Sequence, residues 1–96
     1  MSTTIKIQVE LFGVPRLRSG RREVGLALPR EVSRQQVVCA LAEACPALVG
    51  NALREDRSDL QEGYVFNHNG RSFIGGDNIS LQPGDSLLLL SSQAGG

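Results

Sequence analysis

Ile5, Ile7, Val9 and Leu11 alternate with Lys6, Gln8 and Glu10, and a period of two describes a strand with one face buried. Gly13, Pro15, Ser19 and Gly20 interrupt the pattern, and Val24, Leu26 and Leu28 resume it until Pro29. Two such runs around a breaker-rich stretch predict a β-hairpin with a long connection, so residues 13–20 are expected as loop. A sheet begun this way needs a second layer to cover its apolar face.

The chain supplies one clear candidate for that layer. Ser33 followed by Gln36 fits a capping box, whose two side chains satisfy orphan amides at a helix start. Val37, Leu41, Ala44 and Leu48 recur at helical spacing, and Val38, Ala42 and Cys45 widen the stripe. Pro46 cannot continue the hydrogen-bond ladder, so the helix is expected to end near it.

Residues 50–62 are polar, with Leu53 and Leu60 as anchors and room for a short helical turn. Tyr64-Val65-Phe66 reads as a strand and Ser72-Phe73-Ile74 as its short return, around Asn69-Gly70, both of which tolerate positive φ. Gly75-Gly76-Asp77 breaks that return. Ile79 and Leu81 lead into a tight turn at Pro83-Gly84-Asp85. Leu87–Leu90 has no alternation, and its length with a flanking turn predicts a strand buried on both faces. The predicted order is strand, strand, helix, strand, short strand, strand. This is an α+β layer whose sheet wraps one helix, with the last strand central and parallel to the first. At 96 residues one domain is expected, burying roughly 60–68% of its unfolded surface.

Other classes are excluded or weakened by composition. No apolar run approaches the roughly 20 residues of a membrane span, and the N-terminus shows no secretory signal, so a cytoplasmic location is expected. A formal net charge of zero speaks against a nucleic-acid binder driven by phosphate contacts. The charges nevertheless cluster. Arg16, Arg18, Arg21 and Arg22 crowd one loop, and Glu55, Asp56, Asp59 and Glu62 crowd a later segment. Both clusters read as solvated loops, or as two poles of a docking surface. Cys39 and Cys45 form no CxxC pair and no second pair completes a zinc site, so no metal is expected; either fits as a small apolar filler. His68, the sole histidine, reads as an exposed turn residue with no patterned nucleophile near it, so no enzyme is expected. The glycines lack the Gly-Lys-Ser/Thr of a phosphate loop. Phe12, Phe66 and Phe73 read as core residues.

After Leu90 the sequence changes to Ser91-Ser92-Gln93-Ala94-Gly95-Gly96. The reading is a domain over residues 1–90 and a flexible tail over 91–96. Six extended residues reach about 20 Å, and the missing Cβ of Gly95 and Gly96 lets backbone enter a narrow channel. A terminal carboxylate is ionised at neutral pH. It attacks an activated phosphate, and the mixed anhydride with AMP that results is open to displacement by sulfide or by an amine.

Taken together, the chain resembles the MoaD/ThiS family of ubiquitin-like β-grasp sulfur carriers. The resemblance is carried by Leu11-Phe12-Gly13, by Pro46-Ala47-Leu48, by Val65-Phe66-Asn67, by Leu81-Gln82-Pro83-Gly84-Asp85 and by Ala94-Gly95-Gly96. It implies a β-grasp fold, with a mixed sheet of four to five strands around one main helix. It also implies adenylation of Gly96 by a ubiquitin-activating-type enzyme that uses ATP, with Ala94 and Gly95 in that partner's channel. The carrier itself would bind no cofactor. Gly96 would then hold a thiocarboxylate and donate sulfur, with the large subunit of molybdopterin synthase as the commonest acceptor for such an ending. Ser91, Ser92 and Gln93 stand where molybdopterin-synthase small subunits have a more apolar, proline-containing stretch, so other sulfur acceptors stay open. The alternative is a ubiquitin-like modifier joined through Gly96 to target lysines.

Overall fold

The computed structural model describes residues 3–92. Its elements in chain order are β1 (Thr4–Leu11), α1 (Val14–Ser19), β2 (Glu23–Pro29), β3 (Glu31–Ser33) and α2 (Arg34–Ala44), followed by a 3-10 turn at Pro46–Leu48. Then come β4 (Tyr64–His68), β5 (Ser72–Ile74), β6 (Asn78–Ser80) and β7 (Ser86–Ser91).

The alternation in β1 and β2 fixes their partnership. Ile5, Ile7 and Val9 lie opposite Leu28, Leu26 and Val24 respectively, in an antiparallel pair, and the Leu11 N–H donates to the Arg22 carbonyl just before β2. β7 pairs with β1 in parallel, with Val9 opposite Leu87 and Leu11 opposite Leu89. On its other side β7 runs antiparallel to β4, which pairs in turn with β5. The order β2-β1-β7-β4-β5 is a mixed five-stranded sheet with the last strand at its centre. Val37, Val38, Leu41 and Ala42 of α2 join the buried side chains of β1, β2, Phe66, Leu87 and Leu89 in one core. This is the expected β-grasp arrangement of a sheet around a single main helix.

The helix begins as its sequence requires. Ser33 Oγ accepts from the Gln36 N–H at 3.1 Å, and Gln36 Oε1 accepts from the Ser33 N–H at 2.8 Å. Regular helix stops at Ala44, with Cys45 buried as its cap, and Pro46 opens the 3-10 turn that carries Leu48 into the core. Ala44 itself is exposed, although it is the last residue of the helix and continues the Val37–Leu41 row.

Several expectations need correction. Residues 13–20 contain a six-residue helix rather than plain loop. Pro15 occupies its first turn, where a missing N–H costs nothing, and Gly20 closes it in the left-handed conformation at φ 70°. β3 and β6 form a separate two-stranded sheet in which Val32 faces Ile79; three residues each give too short a pattern to read. Residues 50–62 hold no helical turn. They are organised by Leu53, which bridges to both Val49 and Leu60, and by Arg34, whose Nε contacts Asp59 Oδ1 at 2.9 Å. β7 is not buried on both faces: Leu87 and Leu89 are buried while Leu88 and Leu90 are half-buried. Of the three phenylalanines only Phe66 lies in the core, and Phe12 and Phe73 are exposed.

Candidate functional site

β7 delivers the chain to the expected carrier terminus, and both of its ends are fastened. At the start, Asp85 joins three segments. Its Oδ2 accepts from His68 Nε2 at 2.7 Å and from the Gln82 N–H at 2.9 Å, and its Oδ1 accepts from Asn69 Nδ2 at 3.2 Å. These donors hold the Asp85 carboxyl below its ordinary range, the Gln82 amide contributing most and His68 next. Asn69 returns a bond to the strand, its Oδ1 accepting from the Ser86 N–H at 2.8 Å. His68 is therefore a half-buried partner of Asp85 rather than an exposed turn residue. The turn beside it forms as expected, with Asn69 at φ 57° and Gly70 at φ 72°.

At the other end Ser91 still belongs to β7. The N–H of Ser92 donates to Gly63 O at 2.7 Å and its hydroxyl donates to the same oxygen at 3.0 Å. The chain thus leaves the sheet from a fixed root. Ala94, Gly95 and Gly96, the expected site residues, lie outside the described residues.

The side of the sheet opposite α2 carries a half-open apolar stripe. Leu88 and Leu90 of β7 alternate away from the core, Val65 lies opposite Leu90, and Asn67 lies between Leu88 and Phe73 in register. Asn67 is the buried polar residue of this face, and its Oδ1 has no partner among the described residues. The family resemblance implies a partner contact on the exposed sheet face around the last strand, but the residue pattern does not mark this stripe, because the run Leu87–Leu90 hides its alternation in uniform leucine.

The two charged poles behave differently. Asp59 is consumed by Arg34, and Asp56 Oδ1 accepts from the Ser58 hydroxyl at 2.6 Å and its N–H at 3.0 Å. Those Ser58 bonds lower the Asp56 carboxyl. Arg16, Arg18 and Arg22 are exposed and make no ion pair among the described residues, while Arg21 donates to the Ala44 carbonyl at 3.3 Å. Among the described residues no cluster of His, Cys, Asp or Glu is placed to hold a metal ion, and no helix is long and apolar enough to cross a membrane.

A sheet wrapped on one helix, with a central parallel last strand, defines the ubiquitin-like β-grasp fold. The crystal structure of SAMP1 from Haloferax volcanii shares it, with a TM-score of 0.76 and 23% identity over 95% of this chain and 99% of that one. The solution structure of the small archaeal modifier protein 1 (SAMP1) from Methanosarcina acetivorans is also similar, with a TM-score of 0.72 and 22% identity over 99% of this chain and 100% of that one. At that identity the likeness is one of fold. No protein-family model matches the chain, and no curated protein does.

Proposed function

We propose that this protein is a sulfur carrier that works through a Gly96 carboxylate. The carboxylate attacks the α-phosphate of ATP held by a ubiquitin-activating-type enzyme and pyrophosphate leaves. A sulfide donor then displaces AMP, and Gly96 keeps a thiocarboxylate. The carrier supplies the reacting carbon, the enzyme supplies the catalysis, and Ala94 and Gly95 thread its channel. The observation that carries this reading is the position of Ala94-Gly95-Gly96, two residues past a rooted Ser92 at the end of the central strand of a β-grasp sheet. The stripe of Val65, Phe73, Leu88 and Leu90 offers the enzyme a face to hold while the terminus reaches in. The Ala-Gly-Gly ending favours molybdopterin synthesis as the receiving pathway, with the synthase's large subunit as acceptor.

A second reading is favoured by the neighbours, which are named modifier proteins. In it, a target lysine amine displaces AMP and leaves an amide bond. Both readings share the adenylate and part at the nucleophile. Intact mass decides between them, after incubation with the source organism's activating enzyme, ATP and a sulfide donor. Replacement of one oxygen by sulfur supports the carrier, and a branched peptide from Gly96 to a lysine supports the modifier. Intact mass of the untreated protein from its native host also checks that Gly96 bears a free carboxylate. An added residue after Gly96 is expected to abolish activation and leave the melting temperature unchanged. Full thiocarboxylation of that blocked variant, with the extra residue still attached, would sink the proposal.

A further inference from the structure

Four large apolar side chains are exposed among the described residues: Phe12 at 44%, Val14 at 46%, Leu17 at 82% and Phe73 at 67%. Three of them fall within six positions, on α1 and the residue leading to it. A single exposed leucine is ordinary, but several exposed apolar side chains close together in the chain and set among charged ones mark a contact surface. Arg16, Arg21 and Arg22 line with Phe12 the recess where β1, α1 and β2 meet, where Glu10 and Glu23 are the opposing charges, and Arg18 adds a further exposed cation on α1.

The segment is held in shape rather than left loose. Gly13 at φ 65° starts the helix, its carbonyl accepting from the Leu17 N–H at 3.0 Å, and Gly20 closes it on the Arg16 carbonyl at 2.9 Å. Pro15 is buried beneath it, and the helix packs on the Pro46–Leu48 turn. A preformed surface loses little entropy when a partner covers it. Its place is also informative. The Phe12 N–H donates to Leu89 O at 3.2 Å, so the patch abuts the end of β7 from which the chain leaves toward Gly96.

Resting on the carrier reading above, we infer that Phe12, Val14 and Leu17 with their arginines are a further surface gripped by the adenylating enzyme, beside the β7 stripe. That enzyme must present an apolar recess bordered by carboxylates. An apolar centre with a charged rim, rich in arginine, is the composition of a protein–protein contact. An anionic membrane or a nucleic acid fits less well. The helix is six residues long, too short to lie in a lipid interface, and formal net charge is zero, against the strong positive charge of phosphate binders. The rim steers encounter and the apolar centre holds the complex.

The test is ATP–pyrophosphate exchange by the source organism's activating enzyme as carrier concentration is varied. Leu17→Glu, and separately the pair Arg16→Glu with Arg18→Glu, are each expected to raise KM for the carrier about tenfold or more with kcat nearly unchanged. All three side chains are exposed, so unchanged melting curves confirm that folding is not the cause. The wild-type KM should rise from roughly 0.05 to 0.5 M NaCl, and rise less in the arginine pair. Wild-type KM in both variants, with wild-type carrier fully activated, overturns the docking surface and leaves the carrier reading standing. No exchange with wild-type carrier overturns both. Binding of the chain alone to anionic vesicles or RNA, or self-association, that Leu17→Glu abolishes while KM is unmoved would also overturn it.

Discussion

Asp85 shows how much one side chain decides in so small a domain. It accepts from His68, Asn69 and the Gln82 amide at once, and thereby ties the β4–β5 turn to the turn that launches β7. Replacing it by Asn leaves one oxygen and turns an NH2 group toward groups that are themselves donors. Asp85→Asn is expected to cost about 1–3 kcal/mol in urea unfolding, the range for stranding partly buried hydrogen-bond partners. The pH dependence follows from the lowered carboxyl. A depressed carboxylate stabilises the fold above its unfolded pKa, near 3.8, and that stability is lost as pH falls through the lower folded value. Wild-type melting temperature should therefore be level near neutrality and drop below about pH 4. Asp85→Asn should drop less over the same interval, and an equal drop would exclude the carboxylate as the source. None of this was legible in the sequence. The turn at Asn69-Gly70 is written in adjacent residues, but the partner of His68 lies across the sheet, where no local pattern reaches.

At the scale of elements, what could be read was what is periodic and long. β1, β2 and α2 carry enough repeats for the pattern to decide, and the Ser33–Gln36 box forms as the residues require. α1 escaped because a six-residue helix has under two turns of pattern, and its leucine points outward. β3 and β6 escaped because three residues show one alternation at most. An aromatic residue in a strand suggests a core, whereas β5 is an edge strand and Phe73 lies opposite Asn67 on the open face. The capping box gives a direct check. Ser33→Ala removes the acceptor for the Gln36 N–H and frees the Gln36 side chain, for an expected loss of about 1 kcal/mol. Chemical denaturation measures it, and a Ser33→Asp variant, which restores an acceptor, should recover most of the loss.

Across the whole molecule the sheet divides the work between its faces. One face meets α2 and contains the residues that make the fold, among them Leu87 and Leu89, and the other keeps Leu88 and Leu90 half open beside Val65. Four consecutive leucines of one strand thus lie on two faces of different burial, and their identical chemistry is why sequence alone could not separate them. Substitution separates them. Leu89→Ala empties a fully buried site against Phe66 and is expected to cost about 2–5 kcal/mol. Leu88→Ala removes a side chain that already meets solvent, so its cost should stay near 1 kcal/mol or below. On the carrier reading the two also differ in activation: Leu89→Ala should lose it in step with the folded fraction, and Leu88→Ala should raise KM for the carrier while the protein stays folded. Paired urea unfolding and exchange kinetics measure both quantities on the same samples. If Leu88→Ala proved as destabilising as Leu89→Ala, the open face would be structural and the docking role would pass wholly to α1. If it were neutral in both measurements, the stripe would hold no partner. Only a stable variant with a raised KM places recognition on this face as well as on the surface that Leu17 tests.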